Sequence, residues 1–543
     1  VRPDPELVFF NGTVFDGARF MPAGTVVRVR NGKITAAGPG DAAALGGAEP
    51  VDLGGGTLLP GFIDAHVHPV FAGDRMCRCN LAEYKTAAEY ADVIAAFAAL
   101  HRDAEWITGG GWSMEAFPGG IPTKEQLDLV TDGRPAFLPN RDGHGAWVNS
   151  RALEIAGIDA STPDPPDGRI ERDSSGQPVG TLQEGAQHLV SRLIPAATAD
   201  DWYAGLLAGQ EYLLSLGITG WQDAIVGSHP GLPDPIDAYL RAAGIGTLKA
   251  NVVGALWWER DRGFEQVAEM VERRRTGQAG RFRATSVKMM LDGVAENHTA
   301  AMLEPYLDGH GCATETSGLD FIDPDELPRF VTALDGEGFQ VHFHALGDRA
   351  VRNALDAIQA ARETNGDSGL RHHLAHLQVV HPDDIPRFAA LSATANIQPL
   401  WAMHEPQMDE LTIPFLGERR SGWQYPFGSL LAAGAPMCAG SDWSVSSPDP
   451  LAGAHVAVNR SMPDEAEPFL PEQAVSPEAI FAAYTSGSAR VNGLERVTGA
   501  IAGGLDADFA IVDADLAHGG QGEICRASVV QTWVRGEVAY QRT

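Results

Sequence analysis

The sequence predicts an α/β chain whose parallel strands close into a barrel of alternating strands and helices. Short apolar runs recur along it, at residues 57–68, 284–292, 339–345, 371–377 and 436–443, and each ends on side chains fit for chemistry. Helix-like stretches of ten or more residues, such as 349–363, lie between them. Strands alternating with helices of that length pair in parallel, and this many units favour closure of the sheet.

The N-terminal segment, to about Leu53, reads as short strands and turns at 7–12 and 26–32. The first barrel strand is Thr57-Leu58-Leu59-Pro60-Gly61-Phe62-Ile63-Asp64-Ala65-His66-Val67-His68-Pro69. Its histidines at i and i+2 leave one face of a strand, so both imidazoles reach a common point. Imidazole is the commonest nitrogen ligand for zinc-like ions, and barrel enzymes hold their chemistry where strands open into loops. A His-x-His pair alone fits two satisfied polar residues at a strand end equally well.

About 150 residues separate His68 from the next barrel strand, at 218–223. One helix with loops needs far fewer, so an inserted subdomain is expected over 75–195. It carries Gly109-Gly110-Gly111-Trp112 and a Pro/Asp-rich tract, 161–168, expected as a surface hairpin.

Further along, Lys288 sits inside an apolar strand of a chain with only 5 Lys against 35 Arg. Buried lysine loses its charge readily and arginine does not, so a neutral amine that can react with carbon dioxide to a metal-bridging carbamate is one reading. A pairing of Lys288 with Asp292 or another carboxylate is the other. His342 and His344 form a second His-x-His strand, residues 371–377 carry His372, His373 and His376, and the last strand ends on Asp442. By parity His342 and His344 share a face, so spacing does not choose between them.

Net charge of −31 and a pI near 4.8 argue against nucleic acid, which needs a basic footprint. The sequence shows no long apolar run and no basic-then-apolar leader, so neither a membrane span nor a secretory signal is expected. Five cysteines do not make a disulfide framework, and a reducing cytoplasm is the expected location. Cys77-Arg78-Cys79 has no further cysteines nearby and is read as structural. The C-terminal stretches 508–512 and 529–536 repeat the short-strand character of the N-terminus.

Together, His66, His68, Lys288, His344, His376 and Asp442 resemble the metal-ligand series of the amidohydrolase superfamily, and more closely its YtcJ-like, amidohydrolase-3 branch, which includes N-substituted formamide deformylases. The likeness runs nearly end to end: the Leu59 to His68 motif, Asp142-Gly143-His144-Gly145-Ala146-Trp147-Val148-Asn149-Ser150, Val287-Lys288 with Asp292-Gly293, Thr299-Ala300 with Pro305-Tyr306, His344-Ala345-Leu346-Gly347-Asp348-Arg349-Ala350, and Gly440-Ser441-Asp442-Trp443. Gly111-Trp112-Ser113 stands where the family often has Gly-Trp-Asp, and Ala375-His376 where Glu-His is common.

The resemblance implies a (β/α)8 TIM-like barrel over 57–74 and 196–487, a small β-sandwich from both chain ends (1–56 and 488–543), and the insert at 75–195. It implies two divalent ions, zinc as the expected species, bridged by an N6-carboxylated Lys288, with Asp442 as the acid–base group. Expected substrate contacts are His144, Trp112, Trp147, Glu184, Asn297, His298 and Trp401, with His404 and Trp443 nearby. The implied activity is hydrolysis of a non-peptide carbon–nitrogen bond in a small molecule. Alternatives are a mononuclear deaminase or a lactone or ester hydrolase on the same fold, or a non-catalytic regulatory protein. Beyond the small-molecule substrate no nucleic-acid or membrane partner is expected, and a homodimer is a candidate assembly.

Overall fold

A computed structural model of the chain describes residues 6–40, 47–141, 143, 145–165, 168–195, 197–227, 234–296, 298–463 and 467–543. It divides into two compact units, residues 1–68 with 210–543 and residues 69–209.

The larger unit is built on parallel strands β1 Phe62–Val67, β2 Ile218–Val226, β3 Asn251–Trp257, β4 Phe282–Met290, β5 Gln340–Ala345, β6 His373–His376, β7 Thr394–Ile397 and β8 Met437–Ala439. They are hydrogen-bonded in chain order, each neighbour parallel. Every residue of β1, β6 and β7 is buried, as expected for parallel strands covered on both faces. The helix Asp348–Asn365 shows why the covering layer forms: Ala350, Val351, Ala354, Leu355, Ala357, Ile358 and Ala361 recur at helical spacing and face the sheet.

The ring closes just beyond the ends of β1 and β8. Asp442 N–H donates to the His66 carbonyl at 2.7 Å, and His68 N–H donates to the Trp443 carbonyl at 2.8 Å. Gly440 permits that approach, since a Cβ there would lie 2.6 Å from the His66 nitrogen. The seam of the barrel therefore runs through the predicted ligands.

Both chain ends contribute to two further sheets. One has the order Lys33–Pro39, Thr25–Arg30, Leu7–Phe10, Glu49–Asp52; the other Thr13–Val14, Thr57–Pro60, Phe509–Val512, Val529–Val534, Glu537–Gln541. They share a core in which the Phe9 ring meets Phe509 and Trp533 edge-on at 5.2 and 5.1 Å.

The smaller unit carries a six-stranded sheet in the order Gly168–Arg172, Pro178–Glu184, Gly145–Val148, Ala136–Pro139, Ile107–Gly110, Cys79–Asn80. Its hairpin pairs Gly168–Arg172 with Pro178–Glu184, so residues 161–165 lead into the hairpin instead of forming it. Among the described residues no helix is long and apolar enough to cross a membrane, and the five cysteines are free thiols.

Candidate metal centre

The C-terminal ends of the barrel strands bring the six predicted ligands into one cluster. His66, His376 and Asp442 are buried, with one ligand atom from each within 4.8 Å of the others. His68 Nε2 lies 3.0 Å and His66 Nε2 3.3 Å from Asp442 Oδ1. Lys288 Nζ lies 3.4 Å from His66 Nε2. The His344 ring sits edge-on to His376 at 4.5 Å, with its Nε2 turned 3.4 Å from the Gly293 carbonyl and 3.8 Å from Asp292.

Burial sets the protonation states. It pushes His66 and His344 down to about 3 and His376 well below its ordinary value, so the imidazoles are neutral, the form that binds metal. Burial also lowers Lys288 to about 7, and its amine touches imidazoles, not Asp292. His68 Nδ1 and His376 Nδ1 are buried without hydrogen-bond partners. Neutral imidazoles and a carboxylate with ligand atoms within 4.8 Å of one another fit a divalent N/O site.

Backbone strain marks the same positions. His376, Leu377 and Asp442 have φ of 81°, 50° and 57°, in the left-handed region that costs a non-glycine residue about 1–3 kcal/mol. Hydrogen bonds hold two of them there: His376 N–H donates to Gln398 Oε1, and Asp442 N–H closes the seam.

The structure also joins motifs that lie far apart in the chain. Asp64, on the same face of β1 as His66, accepts from Ser441 N–H and from the Ser441 hydroxyl at 2.6 Å, which ties the first motif to the last. Asp292 accepts from the N–H groups of Ala301, Leu346 and Gly347, which ties the end of β4 to the loop after β5. Gly347 has to be glycine, because a Cβ would sit 2.0 Å from the Ala301 carbonyl. Arg349, in the same motif, is held by Asp320, the Met302 carbonyl and the Ser317 hydroxyl.

Sequence reasoning passed over Asp64, Asp223, His373, Asn396 and Gln398, all buried around the centre or on its strands. The available signal was a polar side chain in an otherwise apolar strand. Asp223, near the end of β2, accepts the Tyr239 hydroxyl at 2.6 Å.

The expected substrate contacts fare unequally. Trp401 is half-buried, its ring stacked on His376 at 5.3 Å and 11°. His298, also half-buried, stacks on Tyr306 at 4.9 Å, while the His404 imidazole pairs with Asp409 at 2.6 Å. Trp443 is buried against Tyr212. Trp112 and Trp147 are both 1% exposed in the smaller unit, with their indole N–H groups donating to the Leu138 and Thr123 carbonyls. Apolar area and a satisfied N–H make each a core residue. Glu184 is exposed at the end of its strand. His144 and Asn297 lie outside the described residues.

Residues 49–540 match the model of a family described as "Amidohydrolase family". The chain is 29% identical to the putative amidohydrolase YtcJ of Bacillus subtilis, over 91% of this chain and 91% of that protein. It is 28% identical to the N-substituted formamide deformylase of Arthrobacter pascens, covering 97% and 94%. Among solved structures, an uncharacterized metal-dependent hydrolase from Pyrococcus horikoshii superposes with a TM-score of 0.74 at 25% identity, over 95% of this chain and 99% of that one.

Proposed function

This chain belongs to the amidohydrolase family, and from that premise we propose that it hydrolyses the carbon–nitrogen bond of a small N-substituted amide, formamide or cyclic amide with divalent metal ions. The observation that carries the reading is the buried His66, His376 and Asp442 group at the barrel's C-terminal rim, with the buried Lys288 amine 3.4 Å from His66 Nε2. His66, His68, His344, His376 and Asp442 would hold two ions, zinc as the expected species. A neutral Lys288 amine would add carbon dioxide, losing one proton, to give a carbamate that would supply them with oxygen donors. When bound, such ions lower the pKa of water toward neutrality and polarise a carbonyl oxygen.

The chain's own groups do the rest. Asp442 takes the proton released as water adds to the carbonyl carbon, then delivers it to the departing amine nitrogen as the carbon–nitrogen bond breaks. Water and amide thus become a carboxylic acid and an amine. The Trp401 ring beside His376 offers an apolar wall to the group next to the scissile bond, in keeping with a neutral arylalkyl or alkyl substituent.

A mononuclear deaminase is the second reading, favoured by His66, His376 and Asp442 being sufficient for one ion. Metal analysis of protein purified without chelator separates the two, with two equivalents expected. Turnover of matched N-benzyl, N-alkyl and N-carboxyalkyl amides then tests the substrate. The neutral members should have the highest kcat/KM, and preference for the charged members would overturn the apolar wall.

A further inference from the structure

Behind the candidate metal centre, on the side away from the rim, the barrel interior carries a chain of buried polar side chains whose hydrogen-bond directions follow from their partners. The His376 backbone N–H can only donate, so its partner on Gln398 is the oxygen, Oε1. Gln398 therefore presents Nε2 to Asn396 Oδ1, at 3.1 Å. Asn396 Nδ2 then donates to the Ala65 carbonyl at 2.9 Å and to His373 Nδ1 at 3.1 Å. His373 is thereby fixed as an acceptor at Nδ1, with its proton on Nε2.

His342 is different. Its ring lies 4.0 Å from that of His373, its Nδ1 is buried without a partner, and its Nε2 faces His66 Nδ1 at 2.9 Å. Lys288 Nζ approaches the same Nε2 only to 3.5 Å. A neutral imidazole offers one in-plane lone pair at an unprotonated nitrogen, so the shorter contact takes it. Among the described residues no partner fixes the proton at Nδ1, and so His342 adopts whichever tautomer His66 requires.

Two arrangements satisfy the pair. With His342 Nε2–H donating, the His66 proton sits on Nε2 and points at Asp442 Oδ1, 3.3 Å away. That arrangement suits the ion-free cluster. With His66 Nδ1–H donating, its Nε2 lone pair is released toward the cluster, as ligation requires. We infer that His342 is a positioning residue for the metal centre: by accepting the His66 Nδ1 proton it fixes the ligating tautomer and ring orientation of His66, and it is not itself a ligand.

This inference rests on the reading of the cluster as a metal site. Loss of such a partner typically weakens metal binding about 10–100-fold. The test uses the full chain stripped of metal and titrated with Co²⁺ against a competing chromophoric chelator, with the visible d–d spectrum recorded. His342→Leu should bind Co²⁺ about 10–100-fold more weakly and with a changed spectrum. His342→Gln, whose amide oxygen can occupy the position of Nε2, should restore affinity to within about threefold and restore the spectrum. His342→Asn, whose amide reaches only the Nδ1 position, should remain weak, so the Gln and Asn pair decides the matter if the leucine variant fails to fold. His372→Gln is the control for losing a buried histidine, because His372 pairs with Asp335 at 3.0 Å. That variant should lower the melting temperature without altering Co²⁺ affinity or spectrum. Wild-type-like affinity and spectrum in His342→Leu, or equal weakening in all four variants, would overturn the inference. Failure of the wild type to bind any divalent ion would overturn the metal reading and the inference with it.

Discussion

Asp292→Ala should loosen one loop of the barrel rim and leave the rest of the barrel closed. The Asp292 carboxylate is fully buried and takes three backbone N–H groups, those of Ala301 and Gly347 on Oδ2 at 2.9 Å each and that of Leu346 on Oδ1 at 3.1 Å. Each buried donor left without an acceptor costs about 1–3 kcal/mol, so alanine would forfeit about 3–9 kcal/mol if the loop held its shape. That is of the order of a whole domain's stability, about 5–15 kcal/mol, so the loop opens instead. Asparagine keeps an oxygen on one side only. With it at the Oδ2 position two bonds survive, and the amide nitrogen confronts Leu346 N–H, a loss of about 1–3 kcal/mol.

Hydrogen exchange read by mass spectrometry on peptides spanning 294–303 and 343–350 measures the difference. A local opening made easier by about 3 kcal/mol raises exchange there roughly a hundredfold in Asp292→Ala, with Asp292→Asn between it and wild type. Amides of residues 351–361, inside the adjoining helix, should keep their protection. Unchanged exchange at both peptides in the alanine variant would refute the clamp. Uniform acceleration along the whole chain would show that the carboxylate supports the barrel at large.

Lys288→Ala should lower metal content toward a single equivalent and cut turnover by orders of magnitude, with partial rescue by short carboxylic acids; unchanged stoichiometry would make Lys288 a structural cation. Gly440→Ala places a Cβ 2.6 Å from the His66 nitrogen and 2.9 Å from Asp64 Oδ1. It should cost about 1–3 kcal/mol and lower metal occupancy, read by thermal melting and metal analysis, whereas an unaltered melt would mean that the seam yields. Trp401→Ala should raise KM for an N-benzyl amide about tenfold more than for its N-methyl counterpart, and equal changes for both would remove Trp401 from the pocket wall.

Strand ends were the most legible part of this chain. His66 and His68 declare themselves because parity puts both on one face, and Asp442 because it terminates an apolar run. The choice between His342 and His344 was beyond parity, since both leave the same side of β5, and only depth along the strand separates them. His342 lies level with Lys288 and is fully buried, whereas His344 lies one pleat nearer the rim. Asp292-Gly293 and the 344–350 motif could each be seen, but not that the first is the acceptor for the second, because a hydrogen bond across 54 residues leaves no periodic trace. The burial of Trp112 and Trp147 was not legible for a related reason. A tryptophan's sequence position does not say which of two apolar faces it fills, and here a satisfied indole N–H inside the smaller unit decided it.

The strand Thr57–Pro60, which runs directly into β1, pairs antiparallel with Phe509–Val512, Pro60 opposite Phe509 and Thr57 opposite Val512. The run that leads to His66 thus acquires this neighbour only after about 450 further residues have been made. At about 5–20 residues per second, roughly 20–90 s of synthesis separate His66 from Val512. During that interval residues 57–60 lack this antiparallel neighbour, while His66 and His68 already have β2 beside them and meet the rest of their ligand set once Asp442 has emerged. The ion would therefore be among the last components to arrive.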